Sequence, residues 1–85
     1  MNKIWFRFDM IGAYESGKTE HPQLVIKELS NKLNFKVIKY YPVSIADCWL
    51  CWAETKEILT KNDFPNYITL FDDREYQSFE DWNKA

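Results

Sequence analysis

The residues from Ile4 to Met10 alternate so strictly that they point to a single backbone conformation. Within the segment 3–11, Ile4, Phe6, Phe8 and Met10 fall on one side, and Trp5, Arg7 and Asp9 on the other. A period of two marks a β-strand with one buried face. Such a strand leaves backbone N–H and C=O groups unpaired until neighbours join it, so the chain has to build a sheet. Residues 35–41 are rich in β-formers and are expected to end as a strand at Pro42. Residues 67–71 are apolar on both faces apart from Thr69, which is the pattern of a central strand.

Helix signals lie between these strands. Pro22 suits a first helical turn, Val25, Ile26, Leu29 and Leu33 recur at helical spacing, and Asn34 is a helix stop. Residues 12–20 hold both glycines among polar residues and read as a loop. The stretch after Pro42 reads in two ways. Ser44 with Asp47 resembles a capping box with Val43 as its staple. Cys48, Cys51, Trp52, Thr55, Ile58 and Leu59 then line one face of a helix over about 45–61. The competing reading makes 48–53 a strand paired with the second one, followed by a short helix. The longer periodicity favours the helix, and Trp-Leu-Cys-Trp favours the strand. Residues 62–65 form a turn, and Ser78 is placed to cap a last helical turn carrying Phe79 and Trp82. The expected fold is α+β, or small α/β. It has a single three- to four-stranded sheet with two to three helices packed on it, and 1–85 forms one globular domain.

Composition narrows the function classes. Aromatic residues make up 18% of the chain, more than so small a core requires, so some rings are expected at the surface, where Trp and Tyr anchor partner interfaces. Two cysteines are too few for a disulfide scaffold, and neither a secretion signal nor a membrane span is visible; a reducing, cytoplasmic setting follows as the default. The formal charge of −2 hides an asymmetry: residues 1–45 carry a net +3 and residues 46–85 a net −5. The acidic half suits a protein partner with a basic surface, such as a nuclease or another nucleic-acid-binding enzyme. Direct nucleic-acid binding is disfavoured, because there is no dense stripe of Lys and Arg.

Gly12, Ala13, Tyr14, Glu15, Ser16, Gly17, Lys18 and Thr19 satisfy G-x-x-x-x-G-K-[ST] after a strand and before a helix. The octapeptide resembles the phosphate loop of heterotrimeric G-protein α subunits, apart from Tyr14 where those proteins have Gly. The resemblance implies a phosphate cradled by backbone N–H groups and Lys18, with Thr19 on Mg²⁺; Asp72 after 67–71 would be the second acidic element. An 85-residue chain is too short for the nucleotide-binding sheet. Tyr14 is bulky where the backbone must approach phosphate, and His21-Pro22 disturbs the helix that should face it. The motif is therefore expected to be a plain strand-to-helix connection.

Cys48-Trp49-Leu50-Cys51 is a C-x-x-C, which resembles a thioredoxin-like redox motif if it opens a helix. As a zinc half-site it lacks a second pair, and its ordinary reading is two reduced, buried thiols. His21, the sole histidine, precedes a proline and suits a capping or solvent-facing role. Asp72, Asp73, Glu75, Glu80 and Asp81 follow neither glycosidase nor EF-hand spacing. With Tyr76, Phe79 and Trp82 interleaved, they suit an acidic interface. Residues 40–52, with tyrosines preceding Asp47, Cys48 and Trp52, resemble the loop and second helix of barstar-type ribonuclease inhibitors, with Pro42 where that family usually has Gly. That resemblance implies a barnase-like partner bound through Tyr41 and Asp47.

The expected function is that of a small protein-binding module without catalysis, cofactor or metal. It would be a stoichiometric inhibitor, such as a toxin-immunity protein or a phage blocker of a bacterial defence enzyme. Its expected partner-binding residues are Tyr41, Asp47, Asp72, Asp73, Glu75, Tyr76, Glu80, Asp81 and Trp82. The alternatives are a thiol-redox module using Cys48 and Cys51, and a small phosphate- or nucleotide-binding domain using residues 12–19.

Overall fold

A computed structural model of the chain describes residues 1–71 and 79–84. The alternating segment forms β1 (Asn2–Asp9), which lies inside the sheet between β3 (Cys48–Thr55) and β4 (Ile68–Phe71). β2 (Phe35–Val43) lies beyond β3, so the order is β2-β3-β1-β4. β1 pairs antiparallel with β3 and β4, and β2 pairs antiparallel with β3. β1 and β2 therefore run the same way with β3 inserted between them. Helix α2 (Pro22–Leu33) makes the crossover of this split β-α-β unit. With α1 (Met10–Glu15) and the C-terminal turn α3 (Phe79–Lys84), the described residues form an α+β fold on one four-stranded antiparallel sheet.

Period-two alternation divides the side chains between the two sheet faces. On the first face, Ile4, Phe6 and Phe8 pack with Trp49, Cys51 and Ala53 under Val25, Ile26 and Leu29 of α2. Each large apolar side chain buried there stabilises the fold by roughly 1.5–3 kcal/mol before entropy is counted. The second face carries Trp5, Leu50 and Trp52, covered in part by Trp82 and Phe79.

Local chemistry sets the ends of α2. His21 is its N-cap, with Nδ1 accepting the Gln23 N–H at 3.2 Å, and Pro22 follows at the first helical position. Asn34 ends the helix with φ at 58°, the left-handed value that Asn tolerates. Both the capping role of His21 and the stop at Asn34 agree with the sequence reading.

Five expectations are corrected. First, residues 45–61 are not a helix. Ser44–Ala46 make one 3-10 turn, Asp47 takes a φ of 50°, and β3 follows. β3 lies between two strands and is buried on both faces, so its apolar run carries no alternation to reveal it. Second, residues 12–20 are not all loop, because α1 extends to Glu15. Third, β1 ends at Asp9, and Met10 opens α1 instead of extending the core face. Fourth, β2 runs through Pro42, which pairs with Trp49. β2 is an edge strand, where the missing N–H costs nothing if it faces outward. Fifth, β4 is an edge strand, not a central one; it is apolar on both faces because Phe71 packs on Trp5 while Ile68 and Leu70 join the first core.

At the C-terminus, Phe79 and Trp82 share a helical turn as the sequence suggested, but they pack on the sheet instead of forming an acidic interface, and the winding differs. Glu80, Asp81, Trp82 and Asn83 have φ between 47° and 53°, so the turn is left-handed. Its expected cap, Ser78, lies outside the described residues.

Candidate functional site

The sheet register builds an aromatic row across the second face. Trp5 lies opposite Trp52 on one side and Phe71 on the other. Trp5 stacks on Phe71 with centroids 4.1 Å apart and on Trp52 at 6.3 Å, while Tyr41 stacks on Trp52 at 5.4 Å. Each of the four strands contributes one ring. Cross-strand aromatic pairs of this kind stabilise both register and sheet.

The next layer of the same face is different. Arg7 lies opposite Leu50 and Thr69, and Leu50 lies opposite Tyr41. The C-terminal turn sits at the other end of the face, where the Lys3 ammonium lies 5.2 Å from the Trp82 ring and the Lys39 ammonium 4.9 Å from the Phe79 ring. The Arg7 end is left as an open groove of about 870 Å³ lined by Trp5, Arg7, Tyr41, Val43, Ile45, Leu50 and Phe71, among others. Ile45, on the 3-10 turn at its rim, is 95% exposed, and Tyr41 is 36% exposed. Among the described residues, Arg7 is an exposed cation with no ion pair or hydrogen bond.

The octapeptide is built as a capped helix. Asp9 caps α1, its Oδ1 accepting the N–H groups of Ile11 at 3.1 Å and Gly12 at 3.3 Å. Gly12 sits close to the chain: a Cβ there would lie 3.2 Å from the Tyr67 Cβ. At the other end, Gly17 N–H donates to Tyr14 O at 3.0 Å and Lys18 N–H to Ala13 O at 2.9 Å, with Gly17 at a φ of 89°. This bond pair is a Schellman motif, and Gly17 is its left-handed residue. The N–H groups of Ser16, Gly17 and Lys18, which a phosphate loop would turn toward its anion, are directed to helix carbonyls instead. The Lys18 ammonium is 3.8 Å from a Glu28 carboxylate oxygen.

The two cysteines are both free and buried. Three residues apart on a strand, they point to opposite faces. Cys48 lines the groove and Cys51 belongs to the first core, so the spacing does not bring the thiols together. Burial pushes the Cys51 thiol far above its ordinary pKa, and burial likewise raises that of Tyr67. His21 presents its ring edge-to-face to Trp49 at 5.7 Å, besides capping α2. Among the described residues, no group of three or more His, Cys, Asp or Glu side chains could hold a metal ion.

Of the expected partner-binding residues, Tyr41 is at the groove. Asp47 is exposed at the end of the adjoining turn, where its carbonyl accepts the Met10 N–H at 3.0 Å. The helix implied by the barstar-type resemblance is absent there, since residues 48–55 are β3. Glu80 and Asp81 are exposed on the C-terminal turn, but Trp82 is only 1% exposed and is a core ring. Asp72, Asp73, Glu75 and Tyr76 lie outside the described residues. Sequence reasoning missed Arg7, Ile45, Leu50 and Phe71 as parts of one surface. The available signals were an isoleucine within a polar turn and a tryptophan, Trp5, on the otherwise charged face of β1.

Among the described residues, no helix is long and apolar enough to cross a membrane. Comparison with protein-family models, with curated proteins and with solved structures finds no match to the chain.

Proposed function

We propose that the chain is a protein-binding module that acts as a stoichiometric inhibitor, such as a toxin-immunity protein or a blocker of a bacterial defence enzyme. The observation that carries this reading is the exposed Ile45, which lines the same groove as Tyr41, Leu50 and Phe71. An isoleucine held out on a tight turn has no role in the core, and an exposed aromatic in the same groove is a common anchor of a protein interface. The acidic half of the chain, with Glu80 and Asp81 exposed, suits a partner whose surface is mainly basic. The cytoplasm, where thiols stay reduced, is the setting this reading assumes.

The test is purification of the tagged chain from its native host, followed by assay of the co-purifying protein. A partner retained at one-to-one ratio, inhibited by the chain, and lost with Ile45→Asp supports the proposal. A chain that retains no partner, or whose retained partner is not inhibited, would overturn it, and retention and inhibition unchanged by both Ile45→Asp and Tyr41→Ala would overturn the groove as its site.

A further inference from the structure

We infer that the groove beside Arg7 accepts an acidic segment of the protein partner, with an apolar side chain placed on Leu50 and Phe71 and a neighbouring carboxylate on the guanidinium. The inference rests on the protein-binding reading above and specifies what enters the groove.

Lys3, Lys39 and Arg7 lie on this sheet face, and their surroundings differ. Lys3 and Lys39 each sit over an aromatic ring of the C-terminal turn. Arg7 has no such contact among the described residues, nor an ion pair or hydrogen bond there. The carboxylate two residues along its own strand, Asp9, is occupied in capping α1. Across the ladder Arg7 faces Leu50 and Thr69, neither of which can neutralise it.

A guanidinium rising from an apolar wall is a strong anion site. Its planar fork matches a carboxylate with two parallel N–H donors, and a charged hydrogen bond is stronger than a neutral one. The groove, at about 870 Å³, also has room for a bulky side chain beside that carboxylate. The exposed carboxylates Glu80 and Asp81 belong to the turn at the other end of the face. A partner with a basic surface and one acidic–apolar segment would then bind in a single orientation, since the reversed pose sets like charges together.

The experiment selects random short peptides, displayed on phage, against the immobilised full chain, and then measures the enriched peptides in solution. The expected peptides carry Asp or Glu next to Leu, Phe or Trp. Their affinity falls about tenfold or more with Arg7→Gln, the size of one charged hydrogen bond. Arg7→Lys recovers part of that loss, and added salt weakens binding to the wild type more than to Arg7→Gln. Arg7 is exposed, so unchanged thermal unfolding of both variants serves as the folding control. Enrichment of neutral peptides, equal affinity for Arg7→Gln, or no retained peptide would each overturn the inference. If a native partner is lost with Ile45→Asp yet indifferent to Arg7→Gln, this inference fails while the protein-binding reading stands. Arg7-dependent peptide binding without any inhibited partner leaves this inference standing and overturns the inhibitor reading.

Discussion

Trp5 and Trp52 face each other across β1 and β3 with ring planes 10° apart and centroids 6.3 Å apart. The pair ties the two inner strands together on the face that carries the groove, and its neighbours Phe71 and Tyr41 extend the row to both edge strands. Two indoles stacked this closely couple their transitions. The far-ultraviolet circular dichroism spectrum should show an exciton couplet that Trp52→Leu abolishes. An unchanged spectrum in that variant would mean the rings are not stacked.

Gly17 holds the Schellman turn at a φ of 89°, with no atom crowding the position of a missing Cβ. Gly17→Ala therefore acts through backbone strain alone and should cost about 1 kcal/mol in urea unfolding. Because the adjacent N–H groups bond to helix carbonyls, ATP or GTP with Mg²⁺ should leave the thermal midpoint unchanged. A nucleotide-dependent rise that Lys18→Ala removes would show that residues 12–19 rearrange into an anion site.

The buried Cys51 thiol resists ionisation in the folded state, its pKa being raised by desolvation. Below the unfolded-state value of about 8.5, both states keep the proton and stability is insensitive to this group. Above that value the unfolded chain loses the proton and the folded chain keeps it. Stability should then fall as pH rises, with a slope approaching ~1.4 kcal/mol per pH unit from this group. Tyr67, raised by burial as well, adds to the fall above its own ordinary value of about 10. Urea unfolding of wild type and Cys51→Ala between these two values isolates the cysteine contribution. A slope unaffected by the substitution would contradict the burial of this thiol.

Trp82 is 1% exposed, and its buried indole N–H has no hydrogen-bond partner among the described residues. Trp82→Ala should cost about 3 kcal/mol through lost packing. Trp82→Phe should cost far less, since it keeps a ring in the site and removes the unpaired donor. Equal and small costs for both, measured by urea unfolding, would place Trp82 at the surface.

Residues whose local chemistry and packing agree were legible in the sequence. β1 has one large apolar phase, and α2 has its proline, its periodic apolar face and its asparagine stop. β3 was harder to read because both of its faces are buried. Cys48 and Trp52 lie on one side, and Cys51 and Thr55 on the other, yet their spacing imitates a helical stripe. α1 was obscured by its glycines: Gly12 is there for close approach to Tyr67, and Gly17 for the left-handed cap. The groove depends on register. Only the pairing of β1 with β3 and β4, and of β3 with β2, brings Arg7, Tyr41, Leu50 and Phe71 to one surface.

Photo-cross-linking tests whether this surface binds protein. A photoreactive amino acid is placed at position 45 in the tagged chain, with position 24 on the outer side of α2 as the control; Ile45 and Leu24 are both exposed. After irradiation in the native host, the chain carrying the probe at 45 should give one dominant protein adduct, absent from the control and lost when Arg7→Gln is added. No adduct from position 45, or the same adducts from both positions, would contradict a partner-binding role for the groove.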